Sequence, residues 1–177
     1  MRTLLILCLG ILCFHTSVGT TSAFAQERQA AFDSSPTALF KHLAGRWGGS
    51  GTIKWFNGAV EPFKCVTTFF IQDGAGRATQ NFRCNGEKNH VDGSALRIEL
   101  SLDWILQGER LTGTWHERIY EVRGTASGQV KGNQIVADIQ SEVATAKLSL
   151  TVHACEVRAV MHFNKEIERL DASGRKC

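Results

Sequence analysis

The stretch Leu43-Ala44-Gly45-Arg46-Trp47-Gly48-Gly49-Ser50-Gly51-Thr52-Ile53 is where helical spacing stops and strand spacing begins. Just upstream, Ser35-Pro36 reads as a helix cap and first turn, and Leu39, Phe40 and Leu43 make one apolar face. Gly45 suits the stop. A helix this short is not stable alone and must dock on a neighbouring surface. Downstream, alternation along a strand puts Trp47, Gly49, Gly51, Ile53 and Trp55 on one face. A Trp at that entrance plugs one end of a closed core, while the glycines let the strand bend and a second backbone come close. The stretch therefore reads as the closing seam of a β-barrel.

Strand signals continue to the C-terminus, punctuated by Asn57-Gly58, Asp73-Gly74, Asn85-Gly86, Asp92-Gly93, Gln107-Gly108 and Gly132-Asn133. The run Leu96 to Trp104 is the cleanest. Leu96, Ile98, Leu100, Leu102 and Trp104 alternate with Arg97, Glu99, Ser101 and Asp103. Burying five such side chains contributes on the order of 10 kcal/mol before chain entropy is counted. Leu111, Gly113 and Trp115 follow on one face, then Gly124, Ala126 and Gly128, whose small size marks a crowded or bent region. Ile135, Ala137 and Ile139 continue the pattern, as do Ala146, Leu148, Leu150 and Val152, and finally Val157, Ala159, Met161 and Phe163. No long helical period appears after residue 45, so a parallel sheet has no room for its crossovers. The expected fold is all-β: a single antiparallel up-and-down barrel of about 8–10 strands with a short N-terminal helix.

The N-terminus has other business. Arg2, an apolar run from Leu4 to Phe14 and Ala23-Phe24-Ala25 before Gln26 form the pattern of a cleaved secretory signal over residues 1–25. Residues 26–34 read as a flexible leader, and residues 35–177 as the barrel domain. Export to a periplasmic or extracellular space follows, with Cys8 and Cys13 leaving with the signal. The whole chain carries a formal net charge of +3, one unit of it on Arg2. Its charges are scattered singly, without the basic run or interleaved aromatics of a nucleic-acid binder. No second apolar run reaches membrane-spanning length.

Cys65, Cys84, Cys155 and Cys177 remain, and an oxidising compartment favours two disulfides over a metal site. A hairpin turning at Asp73-Gly74 that pairs Ile71 with Ala78 also pairs Phe69 with Gln80, Thr67 with Phe82 and Cys65 with Cys84. Cross-linking that hairpin stabilises by roughly 3 kcal/mol in the chain-entropy picture. Cys155 and Cys177 are left to pair with each other.

A short helix, G-x-W at the head of the first strand (Gly45-Arg46-Trp47), a meander of strands and a late Arg together resemble the calycin superfamily of lipocalin-like barrels. The resemblance implies that Trp47 crosses the barrel floor and that a late cation stacks on it. Extending the parity of Met161 and Phe163 through Lys165 and Ile167 assigns that role to Arg169, unless a bulge near Asn164 shifts the count. The pattern Gly45-x-Trp47-x-Gly49-x-Gly51 is also similar to nitrobindin-type haem barrels, which need an inward histidine. Here His116, His153 and His162 fall on the outward face, so no cofactor is assigned and haem stays an alternative ligand.

Catalytic patterns are missing. There is no G-x-S-x-G, no glycine loop opening a helix, and His116 and Glu117 point to opposite faces. Glu117, Glu121 and Asp138 show no partner that would raise a carboxyl pKa. No metal set is read, since the CxxC spacing is absent. The informative feature is an inward aromatic stripe: Trp55, Phe69, Phe82 and Trp104, joined by Trp115, Met161 and Phe163. The expected function is therefore a non-enzymatic, exported barrel holding a small hydrophobic ligand, with no nucleic acid and no membrane insertion. The alternative is a filled core whose rim near Asn57, Asp73 and Asn89 binds a protein partner, such as an envelope enzyme.

Overall fold

A computed structural model describes residues 35–86 and 96–176. The proposed signal and leader, Asp92-Gly93, Asn89 and Cys177 lie outside these residues. Helix α1 spans Pro36–Leu43, with the Ser35 hydroxyl accepting from the Ala38 N–H at 3.2 Å and Leu39, Phe40 and Leu43 buried. Gly45 then takes φ +104°, a left-handed value that only glycine adopts without strain. It begins β1 directly.

Ten antiparallel strands follow: β1 (Gly45–Trp55), β2 (Val60–Gln72), β3 (Arg77–Gly86), β4 (Arg97–Gln107) and β5 (Arg110–Glu117) form the first half. The second half is β6 (Val122–Lys131), β7 (Gln134–Ser141), β8 (Thr145–His153), β9 (Glu156–Lys165) and β10 (Ile167–Arg175). Each pairs with the next, and β10 returns to β1, closing the barrel. Closure removes the exposed edges that an open sheet would present.

The seam lies in the expected stretch. Gly49 faces Gly174 and Gly51 faces Ala172 across β1 and β10. A Cβ on Gly51 would sit 2.0 Å from the Asp171 carbonyl oxygen, and one on Gly49 would sit 2.3 Å from that of Ser173. Small residues are thus required where the two ends of the sheet meet. Crowding on β6 has the same character: a Cβ on Gly124 would lie 1.9 Å from the Gln140 carbonyl oxygen and 2.7 Å from the Trp115 ring.

The β2–β3 hairpin has the register deduced from its cysteines. Ile71 pairs with Ala78, Phe69 with Gln80, Thr67 with Phe82, and Cys65 with Cys84, which are joined by a disulfide. One turn expectation fails. Asn85-Gly86 is not a turn, because Asn85 pairs with Lys64 and Gly86 with Phe63 as β3 runs on. The Gly86 N–H bonds the Leu96 carbonyl instead, and a Cβ there would press on Leu96 at 3.1 Å.

The two ends of the barrel differ. At the helix end, α1 sits over Trp47, Phe69, Trp104, Leu111, Val130 and Val152 in one buried cluster. Trp47 is 2 % exposed, and its indole N–H donates to the Leu43 carbonyl at 2.8 Å, tying the floor to the helix end.

The cation beside Trp47 is not Arg169. Lys176 holds its Nζ 4.8 Å from the Trp47 ring centroid and also donates to the carbonyls of His42 and Ala44. Arg169 instead forms a two-pronged pair with Asp171 at 2.6 and 2.8 Å, partly open to solvent. Two facts explain the difference. Register slips between Ile167 and Arg169 on β10, and one extra residue turns every later side chain to the opposite face. Leu170 is therefore buried where Arg169 was expected to be. In addition, Arg169 pairs with Lys54 while Arg175 pairs with Gly48. At ~3.3 Å per residue, that places Arg169 about 20 Å along the strand from the Trp47 end.

Candidate functional site

At the end of the barrel away from α1, the described residues do not fill the interior. A cavity of about 270 Å³ opens there, walled by Phe82, Ile98, Leu100, Trp115, Ile139 and Met161. These residues come from β3, β4, β5, β7 and β9, so the wall belongs to the sheet and not to loops. Alternation aims one residue in two inward on each strand. Phe163 and Ile167 complete the wall on the β9–β10 side. The β5–β6 turn contributes Tyr120 and the β7–β8 turn Val143, which are 59 % and 54 % exposed at the rim.

The aromatic stripe expected to line one interior is divided in three. Phe82, Trp115, Met161 and Phe163 reach this cavity. Phe69 and Trp104 pack beneath α1, where the Trp104 indole N–H donates to Gln80 at 3.0 Å. Trp55 belongs to a second buried cluster with Ile53, Phe63, Leu170 and the Cys65–Cys84 pair. Residue identity alone does not separate these groups, because all seven share the inward parity. What separates them is whether a neighbour fills the space opposite.

Deeper in the barrel lies a smaller space of about 70 Å³, bounded by Trp47, Phe69, Gln80, Leu150 and Phe82. Phe82 lines both spaces and stands between them. A wider hollow of about 580 Å³ on the outer wall is bordered by Gly48, His153, Glu156, Arg158 and Arg175. Its charged members are Glu156, Arg158 and Arg175, and Arg175 is already paired with Glu156.

Three polar side chains on the cavity wall, Glu117, Ser141 and Trp115, are bonded to the backbone. Glu117 was read as a carboxylate without a partner, yet it is buried on the inward face and accepts three backbone N–H groups. They are those of Glu99 at 2.8 Å, Ile119 at 2.9 Å and Tyr120 at 2.7 Å. It therefore pins the β5–β6 turn to β4. Charge-assisted bonds of this kind are the strong ones. His116 points outward and meets Glu121 at 3.1 Å. Ser141 donates to the Ala144 carbonyl at 2.9 Å and accepts from the Ala144 N–H at 3.1 Å, and the Trp115 indole N–H bonds the Thr125 carbonyl at 3.2 Å.

No protein-family model and no curated protein matches this chain. Solved structures do: the S-type phycobiliprotein lyase CPES from Guillardia theta superposes with a TM-score of 0.57 at 10 % identity, covering 81 % of this chain and 93 % of that one. The likeness is one of fold. Together with the closed ten-stranded meander, it fits a calycin-like barrel. Among the described residues, no helix is long and apolar enough to cross a membrane.

Proposed function

We propose that this chain is an exported binding barrel that holds a small hydrophobic ligand in the open-ended cavity. The observation that carries the proposal is the 270 Å³ apolar space beneath an exposed apolar rim, at an end of the barrel that no helix among the described residues covers. An apolar cavity of ~150 Å³ is enough to hold benzene and stay dry. This one has room for a ligand of roughly two rings or a medium alkyl chain. The Cys65–Cys84 disulfide is compatible with an oxidising compartment, which supports export and the pairing of Cys155 with Cys177. The similarity to the phycobiliprotein lyase supports the scaffold and, at 10 % identity, brings no activity with it.

Binding is read from Trp115, which lines the cavity. Titration with long-chain alcohols, alkyl esters, retinoids and haem should give saturable quenching of intrinsic fluorescence by at least one class. A Trp115→Phe variant should lose most of that signal. Absence of saturable quenching by every class would overturn the reading. The protein-partner alternative has its rim positions divided, because Asn57 sits in the β1–β2 turn and Asp73 in the β2–β3 turn, while Asn89 lies outside the described residues. In an up-and-down meander those turns are at opposite ends.

A further inference from the structure

The cavity's polar chemistry points to the charge of what it accepts. We infer that the site takes uncharged apolar molecules in preference to the carboxylate anions of the same chain length; this rests on the ligand reading above and narrows it. Three observations converge. First, the described residues lining the cavity include no Lys, Arg or His, so none of them offers an anion a counter-charge. Arg118, in the β5–β6 turn, lies on a separate hollow with Asn81, Arg83 and Glu99.

Second, the one carboxylate among the described lining residues, Glu117, is 8 % exposed and has three backbone N–H donors on its two oxygens. Its partners are neutral, so its negative charge is solvated by dipoles and not cancelled. A second anion brought beside it meets repulsion in a medium that screens poorly. Third, two of the wall's donors are spent, which leaves among the described lining side chains only the hydroxyls of Tyr120 and Thr145, both on exposed residues. Trp115 Nε1 is given to Thr125, and Ser141 Oγ is given to Ala144. A carboxylate carried past those exposed hydroxyls into the apolar space would lose its water with no charged partner to replace it, whereas an ester or alcohol of equal length loses far less.

The test compares octanoic acid with its methyl ester and with octanol, using the full chain and intrinsic tryptophan fluorescence. At neutral pH the ester and the alcohol are expected to bind at least ~10-fold tighter than octanoate, a difference of one decade in Kd. As the pH falls through the acid's own titration, its affinity should rise toward that of the ester, while the ester, as control for any change at Glu117, keeps its value. Equal binding of octanoate and ester at neutral pH, or an octanoate affinity flat across that titration, would overturn the inference and leave the ligand reading standing. Binding of none of the three, nor of the wider panel, would remove the ligand reading and this inference with it.

Discussion

The helix end and the open end of this barrel are built from the same kind of inward side chain and reach opposite outcomes. At the helix end, Trp47, Phe69 and Trp104 are 2, 6 and 4 % exposed, because Leu39, Phe40 and Leu43 of α1 fill the space they would otherwise enclose. At the open end, Phe82, Trp115, Met161 and Phe163 are only half-buried, because nothing among the described residues packs across from them. Interiors are close-packed wherever side chains can meet, so an unfilled apolar wall gives up contacts that the other end keeps. Packing is densest under the helix, and the proposed binding space lies where packing stops.

The largest effect expected from breaking this contrast is at Trp47. Trp47→Ala should cost about 3–5 kcal/mol in denaturant unfolding, as for other large-to-small changes in a packed core, while the folded fraction still binds at the far end. A stable variant that had lost ligand quenching would place Trp47 in the site and not in the floor. Phe82→Ala comes next. Its ring stands between the two spaces and is only half-buried, so a cost of roughly 1–3 kcal/mol is expected, below that of a fully packed aromatic. The more telling readout is chain length, since joining the 270 and 70 Å³ spaces should shift the preferred alcohol to a longer one. An unchanged preference would show that Phe82 is not the floor of the cavity.

Lys176→Met probes the latch on the helix end. Loss of an exposed cation over the Trp47 ring and of its bonds to the His42 and Ala44 carbonyls should cost ~0.5–1 kcal/mol, read as a lower midpoint in urea. Burial pushes the Lys176 pKa down, so the unfolded chain binds the proton more tightly there and this group's contribution grows with rising pH. The smallest effect is expected at Asp171. Its pKa is held below the ordinary 3.8 chiefly by the hydrogen bond from Arg169, so its contribution is present above that value and is lost as pH falls through the lowered one. The pair is solvent-screened, so Asp171→Asn should lower the thermal midpoint only slightly at neutral pH, with the gap to the unmutated protein closing in acid. A large effect would mean that the Arg169–Asp171 pair belongs to the closure after all.

Much of this contrast was legible in the residues. The helix cap at Ser35, the stop at Gly45, the inward faces of the strands and the Cys65–Cys84 register all follow from local rules of periodicity and turn chemistry. The errors fall where one residue changes the count or where a neighbour decides. Arg169 was misplaced because a slip between Ile167 and Arg169 leaves no mark in the sequence, and Lys176, near the end of the chain, takes its place beside Trp47. Asn85-Gly86 has turn chemistry but is held in a strand by its partners Lys64 and Phe63. Glu117 looked unpartnered because its three donors are backbone groups on β4 and in the following turn, which no side-chain pattern reveals.

The sequence by itself determined the class of fold, the direction each strand faces and which residues compete for the interior, because alternation and turn preferences act over a few neighbouring residues. Only the tertiary structure decided which inward side chains became core and which became a wall. That outcome depends on what closes each end. Nothing in the residues Phe69 and Phe82 distinguishes them. One lies under the helix, and the other faces space.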